Sequence, residues 1–452
     1  MNKRTFYCRV LSLALASMVL WSCQSDPEAV EPLNYTMASK TGYQFRPISI
    51  EQAKRTALAF LEKQRETPEI PIATEGMIEE VQTIENENSV PILYAVNLTD
   101  NKGYLVMSAS IVEKPILAYS NIGKFDFATV GDYNGVSDWL YMKYLKIDGL
   151  IGAGGDINPK IANQWITTNP VDGIGLSGPD GQFIPYVPPV LIDEWEEEEI
   201  HGPWVQTTWN QRLSSSSGSS IIGYNNFVRF NNCSAGVAPA GCVATAMGQI
   251  MKYYNHPNIY NISTMPNAVN GSNYLTASAN NVAYLMQDIG AHVSMNYSCD
   301  GSGANSSNAK NAFVNNYHYS ASGVVPMSYT PVVNNLKNSK PVYLDGCSDK
   351  VIKTRPIKTG FFRFTIGRTT YQYDRCHAWV ADGFQVINYV AVYDNGMQQS
   401  YPIVEHMHMN WGWGGAWNGW YDYETWDDIN GGNPSTVDFI YSQDMIYNIT
   451  PN

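Results

Sequence analysis

The pattern of apolar and polar positions divides this chain into regions of different texture. Ser49-Ile50-Glu51-Gln52 reads as a capping box, with Gln three residues after Ser, and opens a helix that runs to about Gln64. Val90–Leu98 and Gly103–Ser108 are strand-like and joined by the polar turn Thr99-Asp100-Asn101-Lys102; a further strand falls around Pro115–Tyr119. Together these predict a compact α+β module ending near residue 165. The texture then changes until residue 203. Pro, Gly and Asp become frequent, and Pro185, Pro188 and Pro189 break any regular element. The run Asp193-Glu194-Trp195-Glu196-Glu197-Glu198-Glu199 reads as a solvated, flexible linker, the kind of segment proteases cut.

From His201 onward the chain is rich in Asn, Ser, Gly, Tyr and Trp, with a low-complexity loop at Ser214–Ser220. Apolar residues recur at helical spacing at Val243, Ala246, Met247, Ile250, Met251 and Tyr254, and His256-Pro257 stops the run. Val282–Leu285 with Ile289 predicts a second helix and Ala309–Tyr317 a third. The remainder reads as strands: Val342–Leu344, Phe361–Ile366, His377–Val386, Tyr389–Tyr393, Ile403–Asn410 and Gly419–Tyr423. Helices followed by a strand-rich half predict an α+β domain.

The length of 452 residues admits two or three domains, each with its own core. The net charge of −13 argues against nucleic acid as a partner. At the N-terminus, Lys3, Arg4 and Arg9 precede the apolar run Val10–Trp21, which is too short for a normal membrane span. The run ends in Leu20-Trp21-Ser22-Cys23, which resembles a bacterial lipobox despite the bulk of Trp21. On that reading Cys23 carries a lipid, begins the mature chain and tethers it to a membrane. An ordinary secretory signal with an incidental Cys is the alternative, and both predict export. Of the seven cysteines, Cys8 leaves with the signal and Cys23 takes the lipid. If Cys242 stays free, Cys233, Cys299, Cys347 and Cys376 can form two disulfides. All three pairings are open; Cys347 with Cys376 is favoured because it would clamp the base of an insertion.

Candidate chemistry centres on Gly241-Cys242, which places a thiol at the start of the first helix of this half, against the positive end of the helix dipole, where thiolate is favoured. A cysteine nucleophile needs a base and a group to orient that base. His377 opens one strand and Asn410 ends another, leading into Trp411-Gly412-Trp413-Gly414-Gly415. An Asn carbonyl can fix an imidazole tautomer, and Trp411 could keep water off that bond. Gln211, with the Cys242 backbone N–H, could bind a developing oxyanion. Singly, each has a plainer reading: a packed Cys, a structural His, a tight turn, a surface Gln. His406, His408 and Asn410 would share one face of a strand, but no further ligand of suitable spacing accompanies them, so neither metal nor cofactor is expected.

The order Gln, Cys, His, Asn resembles papain-type cysteine proteases. Gly241-Cys242-Val243-Ala244-Thr245-Ala246-Met247, Gln249-Ile250-Met251-Lys252-Tyr253, His377-Ala378 with Asp382-Gly383, and Asn410-Trp411-Gly412-Trp413-Gly414-Gly415 resemble the streptopain family of secreted bacterial proteases, over about 204–450. Gly103-Tyr104-Leu105-Val106-Met107-Ser108-Ala109 and Pro115-Ile116-Leu117-Ala118-Tyr119-Ser120 are similar to that family's propeptide. The resemblance implies a papain-like catalytic domain, its helical part carrying the Cys and its β-rich part the His and Asn, behind a small α+β prodomain. It makes Cys242 the nucleophile, His377 the base and acid, Asn410 the orienting residue, Gln211 the oxyanion donor and Trp411 the cover.

The expected organisation is a signal over 1–23, a propeptide over 24–165, a linker with the activation cut over 166–203, and a peptidase domain over 204–452. The expected protein is a lipid-anchored cysteine endopeptidase of the cell envelope or surface, or one released after processing. It is a monomeric zymogen acting on proteins or peptides, with its own propeptide as inhibitor. A cell-wall peptide amidase or transpeptidase on the same scaffold, or a non-catalytic surface binding protein, are the competing readings. The chain departs from the family in the insertion Cys347–Cys376, which includes Phe361-Phe362-Arg363-Phe364 and could lengthen a strand pair or hang over the active site. It departs also in Arg375-Cys376 just before His377, and in Cys233-Ser234-Ala235-Gly236 ahead of the nucleophile.

Overall fold

The computed structural model describes residues 47–64, 73–130, 135–152, 161, 164–165, 175–177, 183–185, 191–214, 220–221, 223–233, 235–359, 364–393, 398–422 and 441–452. Cys23 and its lipobox, most of 166–190, the centre of the Ser214–Ser220 loop and Phe361–Arg363 lie outside the described residues. No helix among the described residues is long and apolar enough to cross a membrane.

The N-terminal domain builds on helix α1 (Ile50–Lys63), strands β1 (Ile78–Glu85), β2 (Pro91–Leu98), β3 (Tyr104–Ser108) and β4 (Ile116–Ser120), and helix α2 (Val136–Gly152). The α1 capping box is formed: Gln52 N donates to Ser49 Oγ at 3.2 Å and Ser49 N donates to Gln52 Oε1 at 2.9 Å. Ala53, Ala57 and Phe60 of α1 are buried against Tyr94, Val96, Leu105 and Met107 of β2 and β3. These two strands are buried along nearly their whole length, which is why they read as apolar runs rather than alternating ones.

The C-terminal domain begins with β5 (Leu191–His201). Helices α3 (Cys242–Tyr254), α4 (Ala277–His292), α5 (Ser306–Asn315) and α6 (Tyr329–Lys337) follow, then the long strands β7 (Val342–Thr359), β8 (Phe364–Tyr393) and β9 (Gln398–Asn410), and finally β10 (Gly419–Asp422) and β11 (Tyr441–Ile446); the short strand β6 (Val325–Pro326) lies between α5 and α6. The fold is α+β, with the thiol-bearing helix in a helical part and the histidine in a β-rich part. Met247, Ile250 and Met251 of α3 and Leu285, Met286 and Ile289 of α4 are buried in one core together with Ala378 and Val380 of β8.

Both domains share one antiparallel sheet, in the order β1-β2-β3-β4-β10-β9-β8-β7-β11-β6, with β5 also paired to β8. The junction is β4 with β10, where Tyr119 pairs with Trp420 and Ala118 with Tyr421. The N-terminal domain is thus hydrogen-bonded to the strand that follows the Trp-Gly loop.

Several elements differ from expectation. The acidic run is not a loose linker: it is β5, paired antiparallel from Glu199↔Val386 to Asp193↔Val392. Lys337 donates to Glu199 Oε2 at 2.8 Å and Gln385 Nε2 to Glu198 Oε1 at 3.2 Å, so part of that charge has partners. Local charge density predicted solvation; a free sheet position overrode it. The insertion after Cys347 takes one of the two forms expected of it: it extends the β7–β8 hairpin in one register, from Cys347↔Cys376 to Thr359↔Phe364. Helices α2 and α6 and strands β1, β6 and β11 had no counterpart in the sequence pattern. The structure pairs Cys347 with Cys376 across the hairpin and Cys233 with Cys299.

Candidate active site

Cys242 is the first residue of α3 and the free cysteine among the described residues. Gly241 caps the helix at φ 95°, a conformation costly for other residues. A methyl group there would fall 2.8 Å from Met295 Cε and 3.0 Å from the Ser302 carbonyl. The glycine therefore lets the chain turn tightly into the helix that Cys242 begins. The backbone N–H groups of Ala378 and Val243 support the thiolate, but burial outweighs them and pushes the thiol above its ordinary value. The helix dipole alone predicted the opposite; desolvation is the larger effect here.

His377 lies on β8, next to Ala378, and is almost fully buried. Burial brings its pKa down to about 4, although its bond to the Trp411 carbonyl works the other way. That bond is Nε2···O at 2.8 Å. A carbonyl can only accept, so Nε2 carries the proton and Nδ1 keeps its lone pair. Trp413 stacks on the imidazole at 4.9 Å and 8° between planes, with Trp379 and Trp411 further out at 6.2 and 6.5 Å.

Asn410 ends β9 and is buried, but its side chain makes no hydrogen bond to His377. Its Oδ1 accepts from Gln249 Nε2 at 3.2 Å and from Gly412 N at 3.3 Å, and its Nδ2 donates to the Thr207 carbonyl at 2.7 Å. The contact to the imidazole is made instead by the backbone carbonyl of Trp411, the residue expected to cover it. Gln211 is brought to the same place through its backbone: Ala240 N donates to the Gln211 carbonyl at 2.9 Å, two residues before Cys242. The loop after Asn410 is fastened to the same segment by Gly414 N donating to the Trp209 carbonyl at 3.0 Å. Trp413 and Gln249 carried no role in the sequence reading. Gln249 was visible as a polar residue seven positions after Cys242, beside the apolar Met247, Ile250 and Met251.

The N-terminal domain reaches this centre directly. Gly135, at φ 93° just before α2, lies so close that a methyl group on it would fall 2.9 Å from His377 Cδ2 and 3.0 Å from Trp411 Cε3. Around it, Trp139 of α2 meets Tyr421 edge-on at 4.9 Å, and Tyr421 meets Trp411 at 5.3 Å. Tyr104 Oη donates to the Trp417 carbonyl at 3.2 Å. In the same contact Asp422, itself buried, takes ion pairs from two lysines of the N-terminal domain, Lys143 at 3.0 Å and Lys114.

His406 and His408 do not converge with Asn410 on a cation. His408 Nδ1 bonds Asp382 Oδ1 at 2.6 Å, and His406 Nε2 lies 3.4 Å from the Ile116 carbonyl. No cluster of His, Cys, Asp or Glu among the described residues could hold a metal ion.

A free thiol at a helix start, an imidazole one residue from the amide that supports it, and an N-terminal domain lying on that imidazole define a class, the cysteine peptidases held in precursor form. Comparison with known proteins agrees: residues 220–421 match the Peptidase C10 family, and residues 45–143 match the Spi protease inhibitor. This chain is a streptopain-like cysteine peptidase with its propeptide domain. It is 22% identical to streptopain of Streptococcus pyogenes over 457 residues, covering 93% of this chain and 92% of that protein. It is 23% identical over 402 residues to the thiol protease/hemagglutinin PrtT of Porphyromonas gingivalis, covering 82% of this chain and 38% of that one. Among solved structures, a prointerpain A fragment of Prevotella intermedia aligns at 18% identity with a TM-score of 0.49, over 82% of this chain and 99% of that one.

Proposed function

We propose that this protein is an exported, lipid-anchored cysteine endopeptidase made as a zymogen, with Cys242 as nucleophile and His377 as general base and acid. The observation that carries the reading is the imidazole geometry. With Nε2–H committed to the Trp411 carbonyl, Nδ1 is the atom left to take the thiol proton. The thiolate attacks a peptide carbonyl, and its sulfur–carbon bond forms as the carbonyl π pair moves to oxygen. The Cys242 N–H and the Gln211 side-chain amide stabilise that oxyanion. Collapse of the adduct breaks the C–N bond; Nδ1–H protonates the departing amine and leaves a thioester on Cys242. Water, deprotonated by His377, then releases the acid and restores the thiol.

Latency follows from the electrostatics. With burial pushing the thiol up and the imidazole down, both partners are neutral in the precursor. Removing the prodomain, with Gly135 at its tip, admits water and substrate and lets the thiolate–imidazolium pair form. Trp413, stacked on the ring, favours the cationic imidazole once formed. Anchoring rests on the lipobox-like Leu20-Trp21-Ser22-Cys23 and is tested by metabolic labelling with a fatty-acid analogue, which a Cys23→Ala chain should not incorporate.

Cys242→Ala should abolish both self-processing and hydrolysis of casein, measured by gel and by release of soluble peptides. Wild-type activity in that variant would overturn the assignment.

A further inference from the structure

The Trp411–Gly412 peptide group joins two observations made separately above. A peptide group is one rigid plane. On one side its carbonyl accepts from His377 Nε2 at 2.8 Å. On the other its N–H donates to Asn410 Oδ1 at 3.3 Å. The tilt of this plane therefore sets where the imidazole acceptor lies, and Asn410 sets the tilt. Asn410 is held in turn. Its Nδ2 donates to the Thr207 carbonyl, and its Oδ1 takes a second hydrogen bond from Gln249 Nε2 at 3.2 Å.

Gln249 has no exposed surface, so each of its polar atoms must be satisfied inside the protein. Its Oε1 accepts from Trp209 N at 3.1 Å and from Thr207 Oγ1 at 3.2 Å. That fixes which end is the amide: Oε1 faces a backbone N–H, so Nε2 faces Asn410. The same side chain thus ties the nucleophile's helix to the segment leading to Gln211 and to the loop that holds His377.

We propose that Gln249 is a positioning residue of the peptidase, acting through Asn410 and the Trp411–Gly412 peptide plane to hold His377 in its Nε2–H tautomer. The inference rests on His377 being the base. Asn410 then orients the histidine through the backbone rather than by a direct hydrogen bond. Hydrogen bonds in series polarise one another, so an acceptor on the Gly412 N–H makes the Trp411 carbonyl a better acceptor for an imidazolium. Without the Gln249 donor, Asn410 keeps its bonds to the Thr207 carbonyl and to Gly412 N but loses one of the two donors that fix Oδ1, and the peptide plane is held less firmly. The imidazolium then loses its acceptor, and the thiolate partnered with it becomes less stable.

The test uses the full-length chain carrying Gln249→Met, which keeps the volume of the side chain and removes its hydrogen bonds. Wild-type processed enzyme, in catalytic amount, supplies the activation cut. The readouts are kcat and KM on a fluorogenic peptide, and the pH dependence of Cys242 alkylation by iodoacetamide. The expected result is a fall in kcat of tenfold or more with KM changed less than about threefold, and an upward shift of the alkylation profile of about one pH unit, the worth of a hydrogen bond to a charged group. Gln249→Glu is the second variant. It keeps an acceptor for Trp209 N and Thr207 Oγ1. When protonated it also keeps a donor for Asn410, so its activity should match wild type at acid pH and fall away below the wild-type curve as pH rises. A purely structural Gln249 would lower the melting temperature and leave the alkylation profile of the folded enzyme in place; that result, or a Gln249→Glu profile parallel to wild type, overturns the proposal. A wild-type chain that is processed yet neither hydrolyses peptide nor alkylates at Cys242 overturns the peptidase assignment instead.

Discussion

The ion cluster at Asp422 makes a quantitative prediction about what keeps the precursor closed. Asp422 ends β10 of the catalytic domain, while Lys143 on α2 and Lys114 before β4 belong to the prodomain. Burial alone would raise the Asp422 carboxyl, but the two lysines hold it well below the usual carboxylate range. The side chains of Asp422 and Lys143 are each 1% exposed, so water and salt screen their attraction little. Lys143→Met leaves a buried carboxylate with one partner in place of two. Removing one member of a buried pair costs about 3–5 kcal/mol. Lys114, whose side chain is 23% exposed, remains to share the charge, which places the cost near the lower end. A loss of about 3 kcal/mol is roughly a 150-fold increase in the open population. Native-state hydrogen exchange on the full-length Cys242→Ala chain, which cannot process itself, reads this directly. Peptides covering Ile116–Ser120 and Gly419–Asp422 should exchange about a hundredfold faster in Lys143→Met, while Val243–Met251 of α3 stays protected. The double variant Lys143→Met with Asp422→Asn removes both buried charges and should regain most of the protection, because Lys114 can turn to water. Exchange at the wild-type rate in the single variant, or a double variant as open as the two singles combined, would refute the reasoning.

Two further outcomes follow from the same interface. Gly135→Val places a side chain into His377 and Trp411 and adds the strain of a positive φ, about 1–3 kcal/mol; the prodomain tip should lift and self-processing, followed by gel, should run several-fold faster, whereas an unchanged time course would mean the tip does not gate the site. His406 is buried against Ile116 and Tyr119 of the prodomain, and burial brings its pKa down to about 4. Between about pH 6.5 and 4 the unfolded chain binds a proton there that the closed precursor does not. The closed form thus keeps its full stability above 6.5 and loses it as pH falls toward 4. Asp345, pushed up to about 7 by burial, works in the opposite sense, so the measurement is a difference. His406→Phe should lose less melting temperature than the Cys242→Ala parent between pH 7.5 and 5, and equal losses would remove His406 from the account.

How much of this was readable from sequence depended on whether a signal was local. The α1 cap, the α3 helix and the strands from Val90 to Ser120 are written in short-range pattern and appear within a residue or two. The acidic run failed because its local character, charge, said nothing about the open position beside β8 that it fills. Helix α2 was missed because Trp139, Tyr141, Tyr144, Gly149 and Gly152 blur its periodicity; its burial against Tyr421 stabilises it instead. At the site, residue types and order brought Gln211, Cys242, His377 and Asn410 into one neighbourhood, yet could not say which atom touches which. Asn410 was expected on the imidazole; the Trp411 carbonyl is there, a backbone group that every sequence has and none advertises. The raised thiol was also illegible, since a helix start predicts thiolate and burial in the folded protein, with Asp345 nearby, reverses it. Gly135 had no sequence signal, because its importance comes from what lies 2.9 Å from where its Cβ would be.

The central claim is that Cys242, served by His377, is the peptide-cleaving centre. The most direct measurement treats processed enzyme with a peptidyl chloromethyl ketone and follows residual hydrolysis against adduct formation, located by peptide mass spectrometry. The account predicts one adduct per chain, on Cys242, with activity lost in proportion, and almost no labelling in His377→Ala. An adduct on another residue that tracks the loss of activity, or an enzyme fully labelled on Cys242 that still cleaves its substrate, would contradict it.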